Sequence, residues 1–318
     1  MALKHSIFLP TGFVGELGPG DPVASYELLS TLVRAAEEAG FDTAWMPDHL
    51  HTIPPSQSNL FESWTLTASF LRATTRLRVG QLVTGVAYRH PVVQAKMAAT
   101  ADVIGNGRLA FGIGAGWYEP DYLAMGLDFA DAPTRLRQLR EAVQIITSLW
   151  TEDVTNFEGE FYRVRDAIGR PRGVQRPHIP IMIAGGGERV TLRIAAQYAA
   201  ACNMLAGPED LERKFAILRR HCETVGTSYD AIRKTATAPV LVAGTDAEAL
   251  AAFPPGGGAM WDGDVREYGL IGAPATIRER MARYEAAGVE ELILAFISPD
   301  PVATLRQYAA EFISAPVG

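Results

Sequence analysis

Short apolar runs alternate with stretches of helical periodicity along almost the whole chain. Ser6–Leu9 reads as a first strand. Residues 25–39 carry Leu28, Leu32, Ala35, Ala36 and Ala39 at helical spacing, and Gly40 supplies a stop. Thr43–Met46, Leu77–Thr84, Leu109–Ile113, Ile179–Ala184, Ala201–Leu205, Thr237–Ala243 and Glu291–Ile297 read as further strands. Helices are predicted over 62–73, from Pro91 onward, and over 134–150, 188–199, 209–225, 275–287 and 301–314. The strands are continuous apolar runs rather than alternating ones, as expected where both faces are buried. Eight such βα units point to an α/β fold, a single (β/α)8 TIM barrel rather than an open doubly wound sheet.

Two stretches exceed the minimal pattern. Residues 151–178 contain Phe157-Glu-Gly-Glu-Phe161, which reads as a hairpin turn between two short strands, followed by a Pro/Arg/Gly-rich loop. Residues 254–273 are rich in Pro and Gly and carry Trp261. Both are expected as rim insertions on one domain spanning 1–318, since neither holds enough apolar residues for a core of its own.

Composition narrows the function classes. With 318 residues, 48% hydrophobic and 20% charged, the chain has ample material for one large core. A formal charge of −7 argues against a nucleic-acid partner, which calls for a basic stripe. The two cysteines, Cys202 and Cys222, lack the spacing of a zinc site or a disulfide framework, so a reducing cytoplasm is the expected setting. Met1–Pro10 lacks the features of a signal peptide, and no apolar stretch approaches the roughly 20 residues of a membrane span.

In a barrel of this kind, chemistry gathers where the strands end. After the second strand comes Pro47-Asp48-His49, and after the third come Thr84-Gly85-Val86 and Tyr88-Arg89-His90-Pro91. The fourth runs into Gly112-Ile-Gly114-Ala115-Gly116-Trp117-Tyr118-Glu119, the fifth into Ala184-Gly185-Gly186-Gly187, and the sixth carries Cys202-Asn203. Asp48 and His49 place a carboxylate beside an imidazole, a pair suited to proton exchange near neutral pH or to fixing a loop. His49 with His51 could also begin a metal site, but no further ligands stand nearby, so no metal is expected. The Gly112–Gly116 spacing lacks the last glycine of a dinucleotide fingerprint, and Pro120 interrupts the helix that should follow. It reads as a tight strand exit whose bare backbone also suits a flat ring. Gly185–Gly187, before the helix predicted over 188–199, would free backbone N–H groups for a phosphate, with Arg189 adding charge. Trp117 and Tyr118 serve equally as a ring-stacking pair or a loop anchor. Cys202 reads as packing, His5 as a core histidine, and His178 and His221 as surface or loop residues.

With these motifs placed, the chain resembles the luciferase-like monooxygenase family, which includes bacterial luciferase, FMN-dependent monooxygenases and oxidoreductases that use the deazaflavin coenzyme F420. The resemblance runs through Ala36-Glu-Glu-Ala-Gly40-Phe-Asp-Thr-Ala-Trp45, Pro47-Asp-His49, Val83-Thr-Gly-Val86, Tyr88-Arg-His-Pro91 and Gly112-Ile-Gly-Ala-Gly-Trp117. It continues through Phe157-x-Gly-x-x-Tyr162, Pro177-His-Ile-Pro-Ile181, Gly185–Arg189, Cys202-Asn203 and Ala286-Ala-Gly-Val-x-Glu-Leu292. Gly-Ala-Gly-Trp, Gly-Gly-Gly-Glu-Arg-x-Thr-Leu and Ala-Cys-Asn are most similar to the F420 branch.

That resemblance implies a homodimer and a cofactor ring lying against a bulge, often with a non-prolyl cis peptide, near Leu82-Val83-Thr84. Gly114, Ala115, Gly116, Trp117, Cys202 and Asn203 would line the cofactor, and its phosphate would meet Ala184–Gly187. Asp48 and His49 would lie near the reactive face, His49 exchanging a proton and Asp48 orienting it. The implied reaction is hydride transfer between F420 and a small organic substrate. The alternatives are an FMN-dependent monooxygenase, a non-catalytic flavin-binding protein and a metal-dependent barrel hydrolase. Two positions depart from the family pattern. Sugar-phosphate dehydrogenases carry Glu where Trp117 stands, with Glu119 two residues later, and close relatives carry Asp where Ala200 stands.

Overall fold

The computed structural model describes residues 3–313. Its parallel strands are β1 (Lys4–Phe8), β2 (Thr43–Met46), β3 (Arg78–Gly85), β4 (Leu109–Gly114), β7 (Ile181–Ala184), β8 (Ala201–Met204), β9 (Arg233–Val242), β10 (Leu270–Gly272) and β11 (Glu291–Phe296). β5 (Thr155–Glu158) and β6 (Arg163–Ala167) form a separate antiparallel pair. The helices are α1 (Pro22–Glu38), α2 (Ser63–Ala73), α3 (Pro91–Ile104), α4 (Glu119–Ala124), α5 (Ala132–Thr151), α6 (Thr191–Tyr198) and α7 (Pro208–Val225). They continue with α8 (Asp246–Ala252), α9 (Val265–Tyr268), α10 (Pro274–Ala286) and α11 (Pro301–Phe312). Strand order is β10-β9-β11-β1-β2-β3-β4-β7-β8, and β9 also pairs with β8, so eight strands close into the (β/α)8 barrel of the TIM class.

Residue contacts gather into two compact units. The first comprises the described residues of Met1–Leu9, Leu28–Trp45 and Gly185–Gly318. Here β1 runs parallel to both β2 and β11, with Lys4 opposite Glu291 and Ile7 opposite Ala44. β9 is flanked by β11, β8 and β10. Its residues Lys234–Leu241 form an unbroken buried run, the pattern of a strand covered on both faces. Glu291 is buried inside this unit, where it accepts from Ser6 Oγ at 2.6 Å and Trp45 Nε1 at 3.2 Å.

The second unit comprises Pro10–Glu27 and Met46–Ala184. β4 lies between β3 and β7, every residue of it buried. Helix α5 starts where the Asp131 side chain accepts from the Thr134 N–H at 2.9 Å, and it buries Leu139, Val143, Ile146 and Trp150. The β5–β6 hairpin forms where the Phe157–Phe161 turn predicts it. Its loop is pinned by Glu141, whose carboxylate accepts from the N–H groups of Glu160 (2.7 Å), Phe161 (3.0 Å) and Tyr162 (3.2 Å).

Several boundaries differ from expectation for local reasons. The helix predicted over 188–199 is α6, Thr191–Tyr198, because Glu188–Val190 form a turn in which the Leu192 N–H reaches Gly187 O at 3.0 Å. The helix thought to be broken at Pro120 exists as α4, with the proline in the first turn, where its missing N–H is not needed. β9 begins at Arg233 rather than Thr237. The segment 254–273 contains α9 and β10 rather than loop alone. Of the helix predicted over 301–314, α11 ends at Phe312, and residue 314 lies outside the described residues, as do Met1 and Ala2.

Candidate active site

Asp48 and His49 follow β2 directly, and their side chains go to different partners. Asp48 is 2% exposed. Its carboxylate accepts from Ser63 Oγ at 2.9 Å, from Thr84 Oγ1 at 2.6 Å and from both terminal nitrogens of Arg89, at 2.6 and 3.2 Å. Arg89 also reaches Glu62 Oε1 at 2.7 Å. Burial works against the Arg89 charge, but Asp48 and Glu62 outweigh it and raise the guanidinium above its ordinary range. With both oxygens engaged, Asp48 makes no hydrogen bond to His49, contrary to the orienting role expected of it.

The carboxylate that meets His49 is Asp121, from α4. His49 Nδ1 lies 2.9 Å from Asp121 Oδ2. The fully buried Asp121 also accepts from the Tyr88 hydroxyl and from the Leu50 N–H at 3.2 Å. Burial alone pushes this carboxyl up, but the donors from His49, Tyr88 and Leu50 outweigh it and hold the group below the ordinary carboxylate range. Tyr88 is pushed the other way, by burial first and then by the facing Tyr122, Asp121 and Asp48, so its hydroxyl stays protonated. The His49 ring stacks on Phe13 at 5.6 Å and meets the edges of Trp117 and Tyr118 at 6.0 and 6.3 Å. Nε2 has no protein hydrogen bond among the described residues. Asp121 escaped the sequence reading, and Tyr88 was placed at a strand end without a role. The signal for Asp121 lay two residues past Glu119, hidden because Pro120 reads as a helix breaker.

At the end of β3 the Leu82–Val83 peptide is cis, and the β3–β4 register shifts between Gln81 and Thr84. A bulge was expected at this place. The glycines beside it have a structural reason of their own. A Cβ on Gly112 would stand 2.4 Å from Gln81 O, and one on Gly114 would stand 2.7 Å from Val83 Cγ2. Gly116 has φ +78°, and a Cβ there would meet the Tyr122 hydroxyl at 2.2 Å. Leu82, Val83 and Ala115 are half-buried, and Thr84 is buried with its hydroxyl on Asp48. Trp117 is 58% exposed, with its ring edge-on to His49.

The other unit carries the glycine run. Gly185 has φ +126° and donates to Asn203 O at 3.0 Å. A Cβ on Gly186 would meet Lys214 Nζ at 2.8 Å, and one on Gly187 would meet Thr191 Oγ1 at 2.7 Å. The bare backbone is thus approached by an ammonium and a hydroxyl, a donor set that fits an anion. Lys214, buried along its stem and paired with Asp210 Oδ2 at 2.8 Å, was not singled out from the sequence. Glu188 is drawn to Arg213 at 2.6 Å, and Arg189 is exposed on the turn. Ala184 ends β7 in the other unit.

Cys202 and Asn203 are buried in β8. Asn203 is engaged on both sides, donating to Thr235 Oγ1 at 2.9 Å and accepting from Thr237 Oγ1 at 3.2 Å. Burial pushes the Cys202 thiol up to about 12, which suits a packing role. His5 meets the Tyr308 hydroxyl at 3.0 Å, His178 meets Ile179 O at 2.8 Å, and His221 meets Glu188 O at 2.8 Å. Among the described residues no group of three or more His, Cys, Asp or Glu could hold a metal.

The family model for luciferase-like monooxygenases matches residues 3–263. The chain belongs to this family. It is 27% identical over 300 residues, 84% of this chain and 82% of the relative, to an FMNH(2)-dependent dimethylsulfone monooxygenase of Pseudomonas putida. It is 31% identical over 191 residues, 58% of this chain and 54% of the relative, to an F420-dependent glucose-6-phosphate dehydrogenase of Amycolatopsis mediterranei (strain U-32). Its fold matches the coenzyme F420-dependent tetrahydromethanopterin reductase from Methanopyrus kandleri with a TM-score of 0.79, at 21% identity over 98% of both chains. This luciferase-like chain is therefore an enzyme of an oxidoreductase and monooxygenase family whose members use F420 or FMN. No helix among its described residues is long and apolar enough to cross a membrane.

Proposed function

We propose that this luciferase-like chain transfers a hydride between coenzyme F420 and a small organic substrate, with His49 as the proton donor or acceptor. The observation that carries the reading is the state of the imidazole: Nδ1 is taken by Asp121 at 2.9 Å, while Nε2 carries no protein hydrogen bond among the described residues. Bound to the protein, F420 supplies a two-electron hydride carrier. The residues around it would do the rest. Within the first unit, Gly186, Gly187, Thr191 and Lys214 offer donors to an anion. Within the second unit, the backbone at Leu82–Thr84, with Gly114, Ala115, Gly116 and Trp117, offers a surface for a flat ring such as that of F420. His49 Nε2 takes a proton from a substrate hydroxyl as that hydroxyl is oxidised, or returns it in the reverse direction. Asp48 serves by holding Arg89, Ser63 and Thr84 together rather than by touching the imidazole. Asn203 supports the glycine run from β8, its backbone oxygen accepting the Gly185 N–H, and Cys202 packs in the same strand. Trp117, where sugar-phosphate dehydrogenases carry Glu, argues for a substrate other than a sugar phosphate. The proposal extends to a cytoplasmic homodimer, checked by light scattering of the purified protein.

A second reading is an FMN-dependent monooxygenase, supported by the dimethylsulfone monooxygenase relative, which aligns over 84% of this chain. Titration of the apo-protein with F420 and with FMN, followed by tryptophan fluorescence, separates the two. Selective saturable binding of F420 is expected. Selective FMN binding would move the protein to the monooxygenase reading. Full turnover by His49→Ala would remove the proton-transfer role.

A further inference from the structure

We infer that Asp121 is the positioning residue of His49: its buried carboxylate accepts the Nδ1–H, fixes one tautomer and leaves Nε2 to exchange a proton with the substrate. This rests on the reading of His49 given above.

Three features carry it. The first is the donor inventory. An ionised carboxylate only accepts, and every group on Asp121 is a donor: the Tyr88 hydroxyl, the Leu50 N–H and a ring nitrogen of His49. For the ring nitrogen to belong to this set it must carry hydrogen. The neutral imidazole then has its lone pair on Nε2.

The second feature is the difference between the two carboxylates. Asp48 has Arg89 against both oxygens. Asp121 has no lysine or arginine within ion-pair distance among the described residues; its one ionisable cation partner is His49, and its side chain has no exposed surface. With the ring in its neutral form, a proton arriving on Nε2 turns a buried carboxylate that has no lysine or arginine partner into half of an ion pair. Asp48, adjacent in sequence, cannot substitute, because its oxygens are already filled.

The third feature is confinement of the ring. Phe13 stacks on the imidazole at an interplanar angle of 16°, while Trp117 and Tyr118 meet it at 82° and 74°. His49 retains only 12% of its side-chain exposure, so a ring flip that swapped the two nitrogens would have to displace these neighbours. The titratable and charged groups around the pair are Tyr88 and Arg89 from the segment after β3, Asp48 after β2, and Tyr118 and Tyr122 at and within α4.

The test reads the tautomer directly in the full-length protein without cofactor. Nitrogen-15 NMR of the neutral imidazole, with the His49 signals identified by their loss in His49→Gln, should show hydrogen on Nδ1. Asp121→Asn can donate its amide N–H to Nδ1, and should move hydrogen to Nε2 in all or part of the population. Tyr88→Phe should keep the wild-type tautomer. In turnover, Asp121→Asn should lower kcat by about 10²-fold with little change in KM, within the range of general acid–base effects. A wild-type Nε2–H tautomer overturns the inference whether or not Asp121→Asn folds. So does an unchanged tautomer in a folded Asp121→Asn protein. Full turnover by His49→Gln would instead overturn the proton-transfer reading while leaving the tautomer result standing.

Discussion

Val83 occupies the space that a side chain on Gly114 would need: a Cβ there would lie 2.7 Å from Val83 Cγ2. The Gly112 position is tighter, because its Cβ would meet both Val83 Cγ1 at 2.8 Å and the backbone oxygen of Gln81 at 2.4 Å. A methyl group can turn aside, but a strand carbonyl cannot. Gly114→Ala should therefore cost about 1–3 kcal/mol, the usual size of overpacking, and Val83→Ala in the same chain should recover most of it. Gly112→Ala should cost more and recover little. Urea unfolding of the four variants checks this, and equal recovery at both positions would show that Val83 is not what the glycines accommodate.

Arg89 neutralises Asp48 in a place where Asp48 has no solvent to turn to. Replacing it by Met leaves a buried carboxylate with only hydroxyl donors. Arg89→Met should destabilise the protein by about 3–5 kcal/mol, the range for breaking one side of a buried pair. Adding Asp48→Asn should recover part of that loss. A loss below about 1 kcal/mol on chemical denaturation would mean that the pair is not structurally coupled.

Lys214 should matter for anion binding more than for folding. Charge-assisted hydrogen bonds contribute about 1.5–3 kcal/mol, so Lys214→Met should weaken cofactor binding by about 10-fold or more. Inorganic phosphate should compete less well in the variant than in the parent protein. Calorimetric titration gives both quantities. Unchanged affinity for both would place the anion elsewhere.

His5 links stability to pH. Burial lowers its imidazole from 6.5 to about 4, so the fold resists a proton that the unfolded chain accepts near 6.5. Stability should hold above pH 6.5, fall as pH drops from 6.5 toward 4, and lose no more from this group below that. The full effect is about 3 kcal/mol at most, since the residue is only partly buried. His5→Gln should remove this share of the acid sensitivity. Urea midpoints of the two proteins, compared across the acid limb, give the result, and parallel curves would refute it.

Most of the fold could be read from local pattern. Strand β4 announces itself because Leu109–Ile113 is buried on both faces and so must be apolar throughout. The β5–β6 hairpin follows from the turn at Phe157–Phe161, and α5 from one apolar stripe. The glycines were legible as places where backbone must stay bare, although the groups filling the space, Val83, Tyr122 and Lys214, were not.

What neighbouring residues settle among themselves, the sequence by itself determined: element type, strand order of appearance, and the strand ends where polar groups collect. Only the tertiary structure decided which of those groups meet. Asp48 and His49 are adjacent in sequence yet serve different partners: Asp48 meets Ser63, Thr84 and Arg89, while His49 meets Asp121. His49 finds its carboxylate 72 positions away, on a helix whose first turn is opened by the proline that seemed to forbid it. Local periodicity carries the backbone's preferences. A side-chain pairing across such a distance depends on registers and loop paths that no short window contains.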